Sequence, residues 1–199
     1  MRAFIAVNMG DDLRRALAQA QERLRASGAD VKWVRPEGIH LTLKFLGEVD
    51  DDRVPAIAEA VAAAVTPRAR FRLRVEGIGG FPSPTAPRVI WAGVKDGARE
   101  LGELARRVED ALEPLGFARE QREFSAHVTL GRCRSPRGRP ELAARMREQI
   151  ERQLGEMEVA RVELMRSDLR PTGPIYTSQR EFALGEARGE RGSDDDGQG

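Results

Sequence analysis

The chain has 199 residues, and 33 basic against 32 acidic side chains leave a formal net charge of +1. That balance excludes the bulk polycationic character needed to wrap a duplex, so any anion site must be a local cluster. Hydrophobic residues at 40% suffice for one sizeable domain or two small lobes sharing a core. The single Cys133 excludes an intramolecular disulfide framework and fits a reducing compartment. No apolar run is long enough for a membrane span, and Met1 to Val7 is too short and unflanked for a signal peptide. The expected location is the cytoplasm, with no membrane partner.

Arg2 to Val7 reads as a β-rich run, followed by a turn at Gly10 and a helix cap at Asp11. Asp12 to Ala26 carries Leu13, Ala16, Leu17, Ala20 and Leu24 at helical spacing, and Ser27-Gly28 stops it. Val31 to Val34 is a short strand, Pro36-Glu37-Gly38 a turn, and Ile39 to Leu46 a further strand. Gly47 to Asp51 opens a second, alanine-rich helix through Ala64. Phe71, Leu73 and Val75 alternate as a strand, Gly77 to Pro87 reads as a loop, and Val89 to Val94 as a strand.

The second half replays this order. A helix from about Ala98 to Leu112 has Leu101, Leu104, Ala105, Val108 and Leu112 as its apolar stripe. After Gly116 and a weaker segment comes a strand from Ser125 to Arg132, then a basic loop, Arg134 to Arg139. Pro140 sits in the first turn of a helix running to about Leu154. Glu158 to Arg166 and Pro174 to Leu184 are strands, with Pro171-Thr172-Gly173 between them. The expected fold is α+β: two similar lobes of antiparallel sheet flanked by helices, related by a pseudo-two-fold around a central cleft. Residues 1–185 would form this single two-lobed domain. The tail from Glu186, without apolar periodicity, is expected to be disordered.

Both histidines of the chain occupy the same setting, His40-Leu41-Thr42-Leu43 and His127-Val128-Thr129-Leu130. Period-two alternation puts each His and its Thr on one strand face, with the apolar pair beneath. A lone strand histidine is more often structural than catalytic, but a repeat that uses every histidine is not accidental. Two imidazoles on opposite walls of a cleft offer a base for an attacking water and an acid for a leaving oxygen. Those are the two proton transfers of in-line displacement at a phosphodiester.

Trp33-Val34-Arg35-Pro36-Glu37-Gly38-Ile39-His40-Leu41-Thr42-Leu43-Lys44-Phe45-Leu46-Gly47 resembles the first signature of the RNA 2',3'-cyclic phosphodiesterases. These were first described as 2'-5' RNA ligases and belong to the two-histidine phosphoesterase superfamily. Phe124-Ser125-Ala126-His127-Val128-Thr129-Leu130-Gly131-Arg132 resembles the second signature, and Arg88 to Val94 and Gly173 to Thr177 resemble that family's strands. The similarity runs to about Leu184. Ala126 departs from it, standing where the family often has proline, which affects how the strand begins and not the chemistry.

The resemblance implies that His40 is the proton donor and His127 the proton acceptor. It also implies an RNA 3' end or nucleotide with a 2',3'-cyclic phosphate as substrate, and a 2'-phosphate product with O3' leaving. The near-symmetry of the motifs could not itself assign acid and base. Thr42 and Thr129 would donate hydrogen bonds to the non-bridging oxygens. Arg132 would clamp phosphate charge, although strict alternation puts it on the face opposite His127 unless Gly131 bulges or the strand ends there. Lys44 shares parity with His40 and Thr42 and would line the groove. Phe45, Tyr176 or Trp33 would stack on a terminal base. Arg134, Arg137 and Arg139 read as a solvated basic loop beside the second motif, and Cys133 as an inert thiol. The motifs lack the clustered His, Cys and carboxylate spacing of a metal site, so neither metal nor cofactor is expected.

One rival keeps the residues and exchanges water for a hydroxyl, giving 2'-5' ligation. Another is an RNA-end binding protein without turnover. Since one chain supplies both motifs, a monomer is expected.

Overall fold

The computed structural model describes residues 1–171 and 173–185. Thr172 and the tail expected to be disordered lie outside them. The chain runs β1 (Arg2–Asn8), α1 (Asp11–Arg25), β2 (Val31–Trp33), β3 (His40–Glu48), α2 (Val54–Val65), β4 (Phe71–Phe81) and β5 (Val89–Val94). It continues with α3 (Ala98–Leu112), β6 (His127–Cys133), α4 (Arg139–Arg147), β7 (Gln153–Val159), β8 (Arg161–Arg170) and β9 (Gly173–Ala183). Among these residues the strands form two antiparallel sheets, β3-β1-β8-β9 and β2-β6-β5-β4-β7. The architecture is α+β with two lobes, as the pattern of elements implied.

The sheets are not sequential half-chains. β1 pairs with β3 and β5 with β6, while β2 and β4 of the first half cross to the five-stranded sheet, beside β6 and β5. In the second half β7 stays beside β4, and β8 and β9 cross to the four-stranded sheet, where β8 pairs with β1. Of the helices, α1 and α3 cross as well, whereas α2 and α4 do not. α1 and α4 pack on β7 and β4 of the five-stranded sheet, while α2 and α3 pack on β9 and β3 of the four-stranded sheet. This exchange ties the halves together and places β3 in contact with β6.

Apolar periodicity dictates the packing. α1 buries Leu13, Leu17, Ala20 and Leu24, and α3 buries Leu101, Leu104, Ala105, Val108 and Leu112. Asp11 and Asp12 in the first turn of α1, and Arg23 and Arg25 in its last, suit the helix dipole. β1 lies between β3 and β8 and is apolar on both faces. Ala3, Ile5 and Val7 join the main core, whereas Phe4 and Ala6 form a separate cluster with Met165, against which Tyr176 packs.

Several boundaries differ from the sequence reading: Gly47 and Glu48 end β3 instead of opening a helix, Gly10 and not Asp11 caps α1, and three further differences concern whole segments. The stretch Gly77 to Phe81, read as loop, extends β4, because the Trp91 ring lies directly on Gly79, where any Cβ would collide with it. The helix expected to reach Leu154 ends at Arg147, since Leu154 is buried as a strand residue of β7. The strand expected at Glu158 to Arg166 is two strands, β7 and β8, meeting at Ala160.

Ile5 is fully buried in the middle of the four-stranded sheet. Ile5→Ala is expected to lower the unfolding free energy by about 2–5 kcal/mol. Ile150→Ala, at a side chain 61% exposed, should change it by less than about 0.5 kcal/mol. Denaturant titration of both variants measures the contrast.

Candidate active site

One open cleft of about 1460 Å³ separates the lobes and contains both motifs. His40, Thr42 and Phe45 come from β3, His127, Thr129 and Arg132 from β6, and Tyr176 from β9. Each imidazole is oriented by its own backbone. Nδ1 of His40 donates to the Gly38 carbonyl at 2.8 Å, and Nδ1 of His127 to the Ser125 carbonyl at 2.7 Å. A carbonyl can only accept, so this bond puts a proton on Nδ1 and leaves Nε2 as the open nitrogen of each ring. Neither Nε2, nor the hydroxyls of Thr42 and Thr129, has a hydrogen-bond partner among the described residues.

The rings differ in surroundings. His40 stacks on Phe4, with centroids 4.7 Å apart and 29° between planes, and meets the edge of Tyr176 at 5.0 Å. Burial among these rings holds the His40 pKa below the ordinary histidine value, and the Gly38 carbonyl pulls the other way more weakly. His127 has a looser apolar neighbour, the edge of Phe81 at 5.3 Å, itself backed by Trp91 at 5.2 Å. Burial raises the Tyr176 pKa, opposed by the positive charges of Arg132 and Arg2 nearby. A side chain of β6 and one of β1 thus act on the same phenol, as expected where two lobes close on one space.

Strict alternation fails in both motifs, at equivalent leucines. Across β1 and β3, Ala6 pairs with Thr42 and Ile5 with Lys44, leaving Leu43 as the extra residue of a bulge. Across β5 and β6, Trp91 pairs with Thr129 and Ile90 with Gly131, leaving Leu130 as the extra residue. A bulge shifts every later side chain to the opposite face. Arg132 therefore faces the cleft with His127, through a bulge at Leu130 and not at Gly131. Phe45, 69% exposed, faces it with His40. The same shift corrects the reading of Lys44. It borders the cleft but is only 5% exposed, and its ammonium is held by Glu109 at 2.5 Å and the Ala118 carbonyl at 2.8 Å.

Trp33 and the Arg134, Arg137 and Arg139 loop are not among the residues lining this cleft. Trp33 instead carries the Arg25 guanidinium over its ring at 5.2 Å. Cys133 is half-buried, and burial raises its thiol pKa, which disfavours the reactive thiolate. Arg2 and Arg88 also line the cleft, and sequence reasoning missed both. Neither has a carboxylate partner among the described residues. Arg2 could have been found from its parity with Phe4 in β1, whereas Arg88, just before β5, carries no local signal.

The described residues contain no group of three or more His, Cys, Asp or Glu able to hold a metal ion, and no helix long and apolar enough to cross a membrane.

A family model for LigT-like phosphoesterases matches the chain twice, over residues 7–91 and 93–176. Each match contains one His-x-Thr motif, in keeping with an internal duplication. The RNA 2',3'-cyclic phosphodiesterase of Archaeoglobus fulgidus is 40% identical over 182 residues, covering 92% of this chain and 99% of that protein. The protein of the same name from Methanothermobacter thermautotrophicus is 36% identical over 184 residues, again 92% and 99% of the two chains. Among solved structures, TT0787 of Thermus thermophilus superposes with a TM-score of 0.78 at 31% identity, covering 92% of this chain and 98% of that one. With nearly its whole length accounted for on both sequence and structural grounds, the chain belongs to the LigT-like phosphoesterase family.

Proposed function

We propose that this protein hydrolyses a 2',3'-cyclic phosphate at an RNA 3' end to a 2'-phosphate, as a monomer and without a metal. The observation that carries this reading is the matched pair of imidazoles. Both line one cleft, each has Nδ1 tied to a carbonyl two residues back, and each keeps Nε2 unpartnered among the described residues. The names of the relatives in Archaeoglobus fulgidus and Methanothermobacter thermautotrophicus support the substrate. A cytoplasmic location accords with the single free cysteine.

In this mechanism Nε2 of His127 takes a proton from water as the water oxygen forms its bond to phosphorus. The P–O3' bond opposite breaks, and His40 delivers its Nε2 proton to O3'. The ribose keeps the phosphate on O2'. One proton taken and one given reverse the protonation of the pair, and exchange with solvent resets it. Both Nδ1–H···O=C bonds strengthen when the ring is cationic, so each carbonyl steadies the imidazolium its histidine forms. Thr42 and Thr129 donate to the non-bridging oxygens, and Arg132 offsets the charge that gathers on them in the transition state. Phe45 offers an exposed ring face for a base, while Tyr176 packs against His40. Exchanging water for a hydroxyl would give a 2'-5' joined product from the same geometry.

An oligonucleotide ending in a 2',3'-cyclic phosphate, incubated in EDTA, is expected to be converted fully to the 2'-phosphate. His40→Ala and His127→Ala should each fold and lose at least about 100-fold in kcat. Retention of most turnover by either variant would refute the acid–base pair. Loss of turnover in EDTA would refute the metal-free route, and a longer joined strand would mark ligation instead.

The depressed His40 pKa gives a pH test of its part in the reaction. One limb of the kcat/KM profile should turn at the His40 pKa, on the acidic side of the ordinary histidine value of 6.5. Tyr176→Ala uncovers His40 and should raise its pKa, moving that limb to higher pH. If neither limb moved, His40 would not be one of the two proton-transfer groups.

A further inference from the structure

The two bulges that turn Arg132 and Phe45 into the cleft are each gripped from behind by a largely buried polar side chain. Leu13, Leu17, Ala20 and Leu24 of α1 correspond in order and spacing to Leu101, Ala105, Val108 and Leu112 of α3. That correspondence puts Gln21 and Glu109 at equivalent positions on the two helices, each in an otherwise apolar stripe. Gln21 is 2% exposed, and its amide nitrogen donates to both the Val34 and Leu130 carbonyls, each at 2.8 Å. Leu130 is the extra residue of the β6 bulge, and its carbonyl also accepts from the Val34 amide at 2.9 Å. Glu109 accepts from Lys44, the residue directly after the extra Leu43 of the β3 bulge, at 2.5 Å.

We infer that Gln21 is a positioning residue for the reaction, fixing the Leu130 bulge and through it the approach of Arg132 to the cleft, with the Lys44–Glu109 pair as its counterpart behind Leu43. The chemistry favours this over simple packing. A side chain placed only to fill the α1–β6 space would be apolar, since an amide there has to find partners or lose hydrogen bonds it makes in water. Both hydrogens of this amide go to carbonyls, and one is the carbonyl of the residue that breaks the β5–β6 register. Without that donor, a regular ladder through Leu130 competes with the bulge, and regular alternation points Arg132 away from His127. The four-stranded sheet solves the same problem with a charge pair. Lys44, moved off the His40 face by its bulge, is retained behind the strand by Glu109 and the Ala118 carbonyl.

The activity readout rests on the hydrolysis proposed above, and a crystal structure supplies one that does not. Gln21→Met keeps the volume and removes the donor. In kinetics on a 2',3'-cyclic phosphate oligonucleotide, it should lower kcat/KM about tenfold in the wild-type background and less than about twofold in an Arg132→Ala background. A purely structural role would give equal losses in both backgrounds and would overturn the inference, as would wild-type kinetics from Gln21→Met. Should that variant fail to fold, Gln21→Asn, which shortens the amide's reach by one carbon, completes the same cycle. If the unmodified chain turned over no cyclic phosphate, the functional reading alone would fall. The crystal structure of the Gln21 variant then decides: Arg132 turned away from the cleft supports the inference, and an unmoved bulge at Leu130 overturns it.

Discussion

An unpaired leucine three residues after each histidine, Leu43 in β3 and Leu130 in β6, governs what the cleft presents. Before the bulge, alternation puts His and Thr toward the cleft and two apolar side chains into the core. After it the faces exchange, so a residue that ought to be buried comes forward and one that ought to be exposed goes back. The first change brings Arg132 and Phe45 to the cleft, and the second buries Lys44. A regular strand could set His and Thr together but not the arginine with them, because residues at odd separation stand on opposite faces.

The crossing of strands and helices between the halves ties the two walls of the cleft together. Because β4 and β8 each pair in the sheet of the other half, and each sheet is covered by one helix from each half, neither lobe is assembled from one half of the chain alone. The imidazoles sit near this exchange, on strands that touch one another. Their orientation depends on short local bonds to Gly38 and Ser125, whereas their mutual placement depends on the global topology. A fixed tautomer without fixed separation would not serve in-line displacement, which needs acid and base on opposite sides of one phosphorus atom.

The near-symmetry of the halves also makes their differences informative. Position for position, Phe45 answers Arg132, Lys44 answers Gly131, and the snug ring packing around His40 answers the looser Phe81 contact at His127. An aromatic ring on one wall and a guanidinium on the other give the cleft a direction. The burial of His40 adds to this asymmetry, since it lowers the pKa of one member of an otherwise matched pair.

Much of this was legible in the residues themselves. Helical spacing marked α1 and α3 with nearly their observed limits, and the repeated His-x-Thr-Leu named two imidazoles and two hydroxyls that do line one cleft, because the two-residue period of a strand is a local property. Tertiary structure alone decided the rest. Whether Arg132 and Lys44 faced the cleft turned on a register break that depends on neighbouring strands and on Gln21 and Glu109 packed behind them. The strand character of Gly77 to Phe81 depended on a Trp91 ring needing a glycine to lie against. Arg2 and Arg88 joined the site only when strands distant in sequence became neighbours in a sheet. A period belongs to a single strand; register and enclosure are relations between strands, and a sequence read one residue after another contains them only indirectly.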